Sequence, residues 1–268
     1  MDEWSPRGPV VFVDGRQQRD TSVRLPWDDP GLAAGFGAVE TLAVVDGFPV
    51  FLDRHLARLV QSCTLLGLPA PDPGAMHFQV SIALAAWGAP EGVLRIQLTA
   101  GGHSILGVRP ASELREKVSA RFVEWPAAPF PPPRAKHTSR GGAAMAPTHH
   151  GVDEIIRVDR DGSVLEGTWS NVFCVVDNTL HTCPDDGRIL PGVTRAVVLE
   201  LAQRRGLDTV ETAPLQHTPG AGWFITSSLN GVVPIHELDG QPLAPMSPVV
   251  RALQADLLHT TGRTPLPT

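Results

Sequence analysis

This sequence predicts a mixed α/β (α+β) chain folded as two subdomains, and three observations predict it. Strand-like and helix-like segments alternate in both halves, hairpin signals separate strands, and a proline run interrupts the chain near its middle. The run is Trp125-Pro126-Ala127-Ala128-Pro129-Phe130-Pro131-Pro132-Pro133. Neither a helix nor a central strand can contain it, because proline lacks the N–H donor and fixes φ. It reads as a semi-rigid connector. The expected organisation is a smaller N-terminal α/β domain over residues 1–125, a connector over 126–135 and a larger C-terminal domain over 136–268. Two such units are expected to meet at a cleft, a common place for a ligand site.

The elements follow in order. Val10 to Val13 reads as a strand entering a turn at Asp14-Gly15. Thr41 to Val45 and Phe48 to Leu52 flank Asp46-Gly47, a strong hairpin signal. Asp53 is the expected cap of a helix whose apolar positions Leu56, Leu59, Val60 and Cys63 fall at i, i+3, i+4 and i+7, with Gly67 as its stop. A second helix is expected from about Ala75 to Trp87, then strands at Val93 to Thr99 and Val118 to Glu124 that close the first half.

Beyond the prolines, Glu154 to Val158 and Asn171 to Val176 read as strands. Pro191-Gly192 precedes a helix with the stripe Val193, Val197, Val198 and Leu201, ending at Gly206. Trp223 to Thr226 is a short strand, and Ser247-Pro248 opens a last helix, an N-cap followed by proline at the first helical position.

Composition narrows the function classes. The net charge is -6 with 19% charged residues, and no stripe of Lys and Arg suggests a nucleic-acid surface. No apolar stretch approaches a bilayer-spanning length and Met1 to Gly8 does not resemble a signal peptide, so a soluble cytoplasmic protein is expected. Cys63, Cys174 and Cys183 have neither metal spacing nor an even disulfide count, and read as reduced structural thiols. A metal site at His149-His150 with Asp153 and Glu154 is not expected, because adjacent loop histidines do not easily face one ion.

Four features could carry chemistry. Gly192-Val193-Thr194 stands where a loop becomes a helix, so its N–H groups and the helix dipole favour an anion; Thr194 also reads as an ordinary helix cap. Lys136 is the single lysine of the C-terminal half and follows the connector; it reads either as a surface lysine or as an amine able to form a Schiff base with an aldehyde cofactor. Glu166, in a loop-like stretch, could keep a pyridine nitrogen protonated or simply be solvated. Thr226-Ser227-Ser228 adds hydroxyls at a strand end.

The ordered set is more specific than any member. Gly35-Phe36-Gly37-Ala38-Val39-Glu40-Thr41-Leu42 and His55-Leu56-Ala57-Arg58-Leu59 with Ser62 are followed by Lys136, Asp153-Glu154, Glu166-Gly167-Thr168 with Ser170-Asn171-Val172-Phe173, Leu190-Pro191-Gly192-Val193-Thr194-Arg195, and Thr226-Ser227-Ser228 with Gly231-Val232-Val233-Pro234. This series resembles the class IV (fold-type IV) aminotransferases, a family that includes D-amino acid and branched-chain aminotransferases and 4-amino-4-deoxychorismate lyases. The resemblance implies two α/β domains with pyridoxal 5'-phosphate (PLP) in the cleft between them, in a homodimer acting on a small amino substrate. Residue by residue it implies that Lys136 holds the cofactor and serves as the catalytic base. Glu166 would pair with the pyridine nitrogen and Leu190 pack on the ring. Arg58, Val193, Thr194 and Ser228 would hold the phosphate.

The order of residues around the lysine, Lys136-His137-Thr138-Ser139-Arg140, resembles the lyase pattern, as does Ser228-Leu229-Asn230-Gly231. The expected reaction is therefore cleavage of 4-amino-4-deoxychorismate to 4-aminobenzoate and pyruvate, in folate or aminobenzoate supply. The alternative is amino transfer from D-amino or branched-chain amino acids to a 2-oxo acid. A third possibility is a class IV-like scaffold that binds without catalysis. Arg140 and His137 are the candidate substrate contacts. Thr41 is the candidate to assist loss of the leaving group, though it also reads as a plain strand residue. The chain departs from the family at Phe36 and Val39 and contains no tyrosine.

Overall fold

A computed structural model describes residues 8–128, 130–218 and 222–263. Met1 to Arg7 and Pro129 of the proline run lie outside the described residues. The chain forms two compact units: one holds the residues up to Glu113 together with Ala135–Ser139, the other Leu114–Arg134 and the residues from Arg140 onward.

The first unit contains β1 (Val10–Val13), β2 (Arg16–Gln17), α1 (Pro30–Ala33), β3 (Gly37–Val45), β4 (Phe48–Pro49), α2 (Leu52–Leu66), α3 (Pro73–Trp87), β5 (Gly92–Thr99) and β6 (Ser104–Arg109). The strands form an antiparallel sheet in the order β2-β1-β6-β5-β3-β4. Asp46 and Gly47 both take positive φ, 50° and 80°, as the two-residue turn between β3 and β4 requires. One sheet face carries Ala38, Leu42, Val44, Leu94, Ile96 and Leu106, which pack with Leu56, Leu59 and Cys63 of α2 and Met76, Val80 and Trp87 of α3. Asp53 is not the cap of α2: the helix begins at Leu52 behind Phe51, which adopts the left-handed conformation, and Asp53 lies in the first turn. Gly67 ends the helix in the left-handed conformation, as expected.

The second unit contains β7 (Val118–Glu124), α4 (Gly141–His150), β8 (Glu154–Val158), β9 (Val164–Gly167), β10 (Asn171–Val176), β11 (Thr179–Thr182), α5 (Val193–Arg204), β12 (Thr209–Val210), β13 (Gly222–Ser227), β14 (Gly231–Leu238), β15 (Gln241–Pro242) and α6 (Pro248–Thr261). Strands β10, β13, β14, β7, β8 and β9 pair in that order, and β9 pairs back to β10. The path closes on itself as a barrel. Val118, Ala120, Ile156, Val164, Val172, Cys174, Trp223, Ile225, Val233 and Ile235 form one buried cluster, one side of each strand. Neighbours such as Arg157, Asn171 and Thr226 therefore face the outside of the barrel.

This division differs from the expected one at two places. Strand β7 precedes the proline run but pairs in parallel with β8 and β14, so it belongs to the barrel. Ala135–Ser139 follows the prolines but joins the first unit, where His137 bridges Ala38 and the Val39 and Thr138 amides donate to the Lys136 and Gly37 carbonyls at 2.9 Å each. Backbone pairing, which composition does not reveal, sets both assignments. The three cysteines are free and buried. Among the described residues no helix is long and apolar enough to cross a membrane.

Candidate active site

In the first unit, Lys136 is held by its backbone between β3 and α2. Its carbonyl accepts from Val39 and its N–H donates to Ser62 Oγ at 3.0 Å. Gly35, at φ +63°, allows the close approach, since a Cβ there would lie 3.2 Å from Ser139 Cα. The Lys136 Nζ lies 3.5 Å from Glu40 Oε2. Glu40 is fully buried and receives Arg58 Nε at 2.7 Å, Arg58 Nη2 at 2.8 Å and His55 Nδ1 at 2.8 Å. His55, Arg58 and Ser62 are spaced three and four apart, so α2 turns a buried polar stripe to this cluster beside its apolar one. Burial opposes a charge on Glu40, but Arg58 and Lys136 outweigh it and hold the carboxyl well below its usual range. Burial likewise pushes the His55 imidazole down, against the pull of Glu40.

In the second unit, the outer face of the barrel carries a polar row. Asn171 of β10 stands opposite Glu166 of β9 on one side and Thr226 of β13 on the other, and directly opposed residues share a face. Between Ile156 and Val158 the pairing of β8 with β9 shifts register. This bulge lets Leu165 and Glu166, consecutive residues, both turn away from the barrel interior, where Val164 lies. Glu166 Oε1 accepts from Arg157 Nη1 at 3.0 Å and Oε2 from the Leu190 N–H at 2.9 Å. Burial raises the Glu166 carboxyl to about 7 despite Arg157. Asn171 Nδ2 donates to the Leu190 carbonyl at 2.9 Å. Its Oδ1 would lie 1.8 Å from a Cβ on Gly192, so only glycine fits at the start of α5.

Helix α5 begins at Gly192 with no side-chain cap, which leaves its first amides, at Val193 and Thr194, without intrahelical acceptors. Both residues are buried. Thr226 Oγ1 is buried and has no hydrogen-bond partner within the described residues. A second buried carboxylate, Glu154, supports the turn after Glu166: it accepts from the Thr168 N–H at 2.9 Å, from Ser170 Oγ at 2.7 Å and from Thr168 Oγ1.

The residues singled out from sequence fall as follows. Lys136 and Arg58 share the Glu40 cluster. Glu166, Leu190, Val193 and Thr194 are joined through Leu190 and Asn171 on the barrel's outer face. Ser228 lies in the turn between β13 and β14, its carbonyl 3.4 Å from Arg263 Nη2. Arg140 lies 4.6 Å from the Trp169 ring centroid and donates to the Thr168 carbonyl. His137 is placed by its bridge to Ala38. Thr41 is on the face of β3 opposite Glu40 and is not brought to Lys136. Sequence reasoning gave no role to Glu40 or Arg157. The i, i+3, i+7 spacing of His55, Arg58 and Ser62 was the one available sign of a buried polar stripe that needs a partner.

The donor set has a definite chemical character. An uncapped helix start with adjacent hydroxyls suits a phosphate, a buried carboxyl near neutrality suits a basic ring nitrogen, and a partly buried lysine suits an aldehyde. PLP carries all three groups. The sequence from residue 37 to 238 matches the family described as amino-transferase class IV. The chain belongs to the class IV aminotransferases. A bifunctional aminodeoxychorismate lyase / D-amino acid transaminase of Mycobacterium tuberculosis is 31% identical, over 90% of this chain and 94% of the relative. A D-alanine aminotransferase of Bacillus licheniformis is 26% identical over 95% and 99%. A hypothetical aminotransferase from Mycobacterium tuberculosis in PLP-bound form superposes with a TM-score of 0.86 at 29% identity, covering 95% of this chain and 98% of that one. Like the rest of the family, this class IV enzyme depends on PLP.

Proposed function

We propose that this enzyme is a lyase that splits 4-amino-4-deoxychorismate into 4-aminobenzoate and pyruvate, acting as a cytoplasmic homodimer. The observation that carries the assignment is the relative named as a bifunctional aminodeoxychorismate lyase / D-amino acid transaminase, 31% identical along nearly the full length of both chains. The run Lys136-His137-Thr138-Ser139-Arg140, with its lyase-like order, points the same way. The cleavage needs no second substrate, because the two products together contain all the atoms of the reactant.

Lys136 would hold PLP and then carry a proton on Nζ. When bound, PLP supplies an electron-withdrawing ring that makes the substrate Cα–H acidic. Glu40, 3.5 Å from Nζ, favours the ammonium form once that proton is taken. Glu166 would face the ring nitrogen with Leu190 against the ring. The Val193 and Thr194 amides, the Thr194 and Ser228 hydroxyls and Arg58 would bind phosphate. Arg140, steadied by Trp169, presents a cation for a substrate carboxylate. His137 stands beside Lys136 in sequence as a second substrate contact.

A transaminase acting on D-amino acids is the second reading, supported by the likeness to the Bacillus licheniformis D-alanine aminotransferase. One paired assay separates the two on PLP-loaded protein, with Lys136→Ala as the blank. Aminodeoxychorismate is offered in one arm, D- and L-amino acids with 2-oxoglutarate or pyruvate in the other. Release of 4-aminobenzoate and pyruvate well above amino transfer is the expected result. Amino transfer with no 4-aminobenzoate would overturn the lyase assignment in favour of the transaminase.

A further inference from the structure

Arg157 has no task in the chemistry above, yet its place is specific. It stands on the outer face of β8 with its side chain only 15% exposed, and its Nη1 donates to Glu166 Oε1 at 3.0 Å. The guanidinium is fixed from a second direction, by Nε donating to the Trp125 carbonyl at 3.3 Å and by the Trp125 ring, whose centroid is 5.7 Å from Cζ. Glu166 Oε2 meanwhile takes the Leu190 N–H. Both carboxylate oxygens are thus directed by this chain's own groups.

A buried carboxyl that serves a basic nitrogen can keep the shared proton or leave it on the nitrogen. Burial favours the neutral acid and therefore the first outcome. A cation in direct contact with the carboxylate favours the second. Several groups act on Glu166: Arg157, the Leu190 N–H and Arg140 favour its charge, whereas Glu154 opposes it, and the Cys183 thiol is also close enough to interact. Arg157 is the largest of those that favour the charge.

We propose that Arg157 is a positioning residue that keeps Glu166 ionised and aimed, so that the proton shared with the PLP ring nitrogen rests on the nitrogen. The proposal builds on the assignment of Glu166 to that nitrogen, and its test separates the two. In apoprotein carrying ¹³C-labelled glutamate carboxyls, the Glu166 signal is identified by its loss in Glu166→Gln and titrated in wild type, Arg157→Leu and Arg157→Lys. Arg157→Leu is expected to move the midpoint up by about one unit or more, roughly a tenfold loss of the ionised fraction at pH values below it, and Arg157→Lys to restore part of the shift. An unmoved midpoint overturns the proposal. If Arg157→Leu fails to fold, judged by near-ultraviolet circular dichroism, Arg157→Gln takes its place in the comparison.

The PLP-loaded proteins give the second readout, the pH profile of the visible absorbance. Arg157→Leu is expected to shift this profile toward that of Glu166→Gln. An unchanged profile in Arg157→Leu beside a changed one in Glu166→Gln overturns the proposal and leaves the Glu166 assignment standing. A profile unchanged in Glu166→Gln itself removes the ring-nitrogen assignment, and the proposal with it, even where the apoprotein midpoint has moved.

Discussion

Glu40 and Arg58 form a two-point ion pair in the interior of the first unit, with Arg58 Nε on one carboxylate oxygen at 2.7 Å and Nη2 on the other at 2.8 Å. Arg58, which we propose binds phosphate, is thus held in place by a buried anion. Removing the anion takes its two-point partner away from a buried guanidinium. Glu40→Ala should therefore destabilise the apoprotein by about 3 kcal/mol in urea unfolding, with Lys136→Ala costing far less. A loss below about 1 kcal/mol would mean that Arg58 is not anchored by this pair.

The two buried carboxylates should respond oppositely to pH. Glu40 titrates below its ordinary value of 4.5, so its contribution is present above that pH and is lost as acid protonates it. Glu166 is raised from 4.5 to about 7, so the folded state binds its proton more tightly than the unfolded chain does. Its effect is a loss of stability, of order 3 kcal/mol, as pH rises from about 4.5 to 7. Unfolding free energies measured across that window should fall more steeply with pH in wild-type apoprotein than in Glu166→Gln. Equal slopes would place the Glu166 carboxyl near its unfolded value.

Gly192 is constrained by a neighbour as well as by its own backbone. A methyl group there would overlap Asn171 Oδ1, the side chain that also grips the Leu190 carbonyl. Gly192→Ala should weaken PLP binding at least tenfold, measured by fluorescence titration of the apoprotein. In the double variant with Asn171→Gly the clash is gone, so its loss should be smaller than the sum of the single losses. Strict additivity would show that the two positions do not meet.

Thr226 carries a buried hydroxyl with no protein partner among the described residues. Thr226→Val keeps the shape and removes the unsatisfied group, so the apoprotein should be unchanged or up to about 1 kcal/mol more stable by thermal or urea unfolding. If the hydroxyl serves the cofactor site, the same variant should bind PLP several-fold more weakly. Destabilised apoprotein with unaltered PLP affinity would assign Thr226 to the core instead.

Much of this molecule was legible along the chain, for local reasons. The bounds of β7, β8 and β10 follow from short apolar runs between turn residues, and α5 and α6 from a glycine or a capping serine before a helical stripe. The Asp46-Gly47 turn requires positive φ at both positions, which these two residues tolerate. Helix α4 was not legible, because Gly141-Gly142 and Pro147 all read as breakers, yet the helix holds within the barrel unit. Strands β6, β9, β11 and β14 are not legible along the chain, although each pairs with a sequence neighbour across a short connection.

The sequence by itself determined the family and offered the residues proposed to hold PLP: one lysine after the prolines, a Gly-Val-Thr helix start, and a glutamate followed by a glycine. Only the tertiary structure decided what surrounds them. Closing β9 onto β10 sets Glu166 beside Asn171, the bulge against β8 turns it outward, and β8 brings Arg157 to it. Bending Ala135–Ser139 back onto β3 places Lys136 with Glu40 and Arg58. The charge state of a buried group depends on which partners the fold brings within a few ångströms of it, and those partners come from positions far apart in the chain.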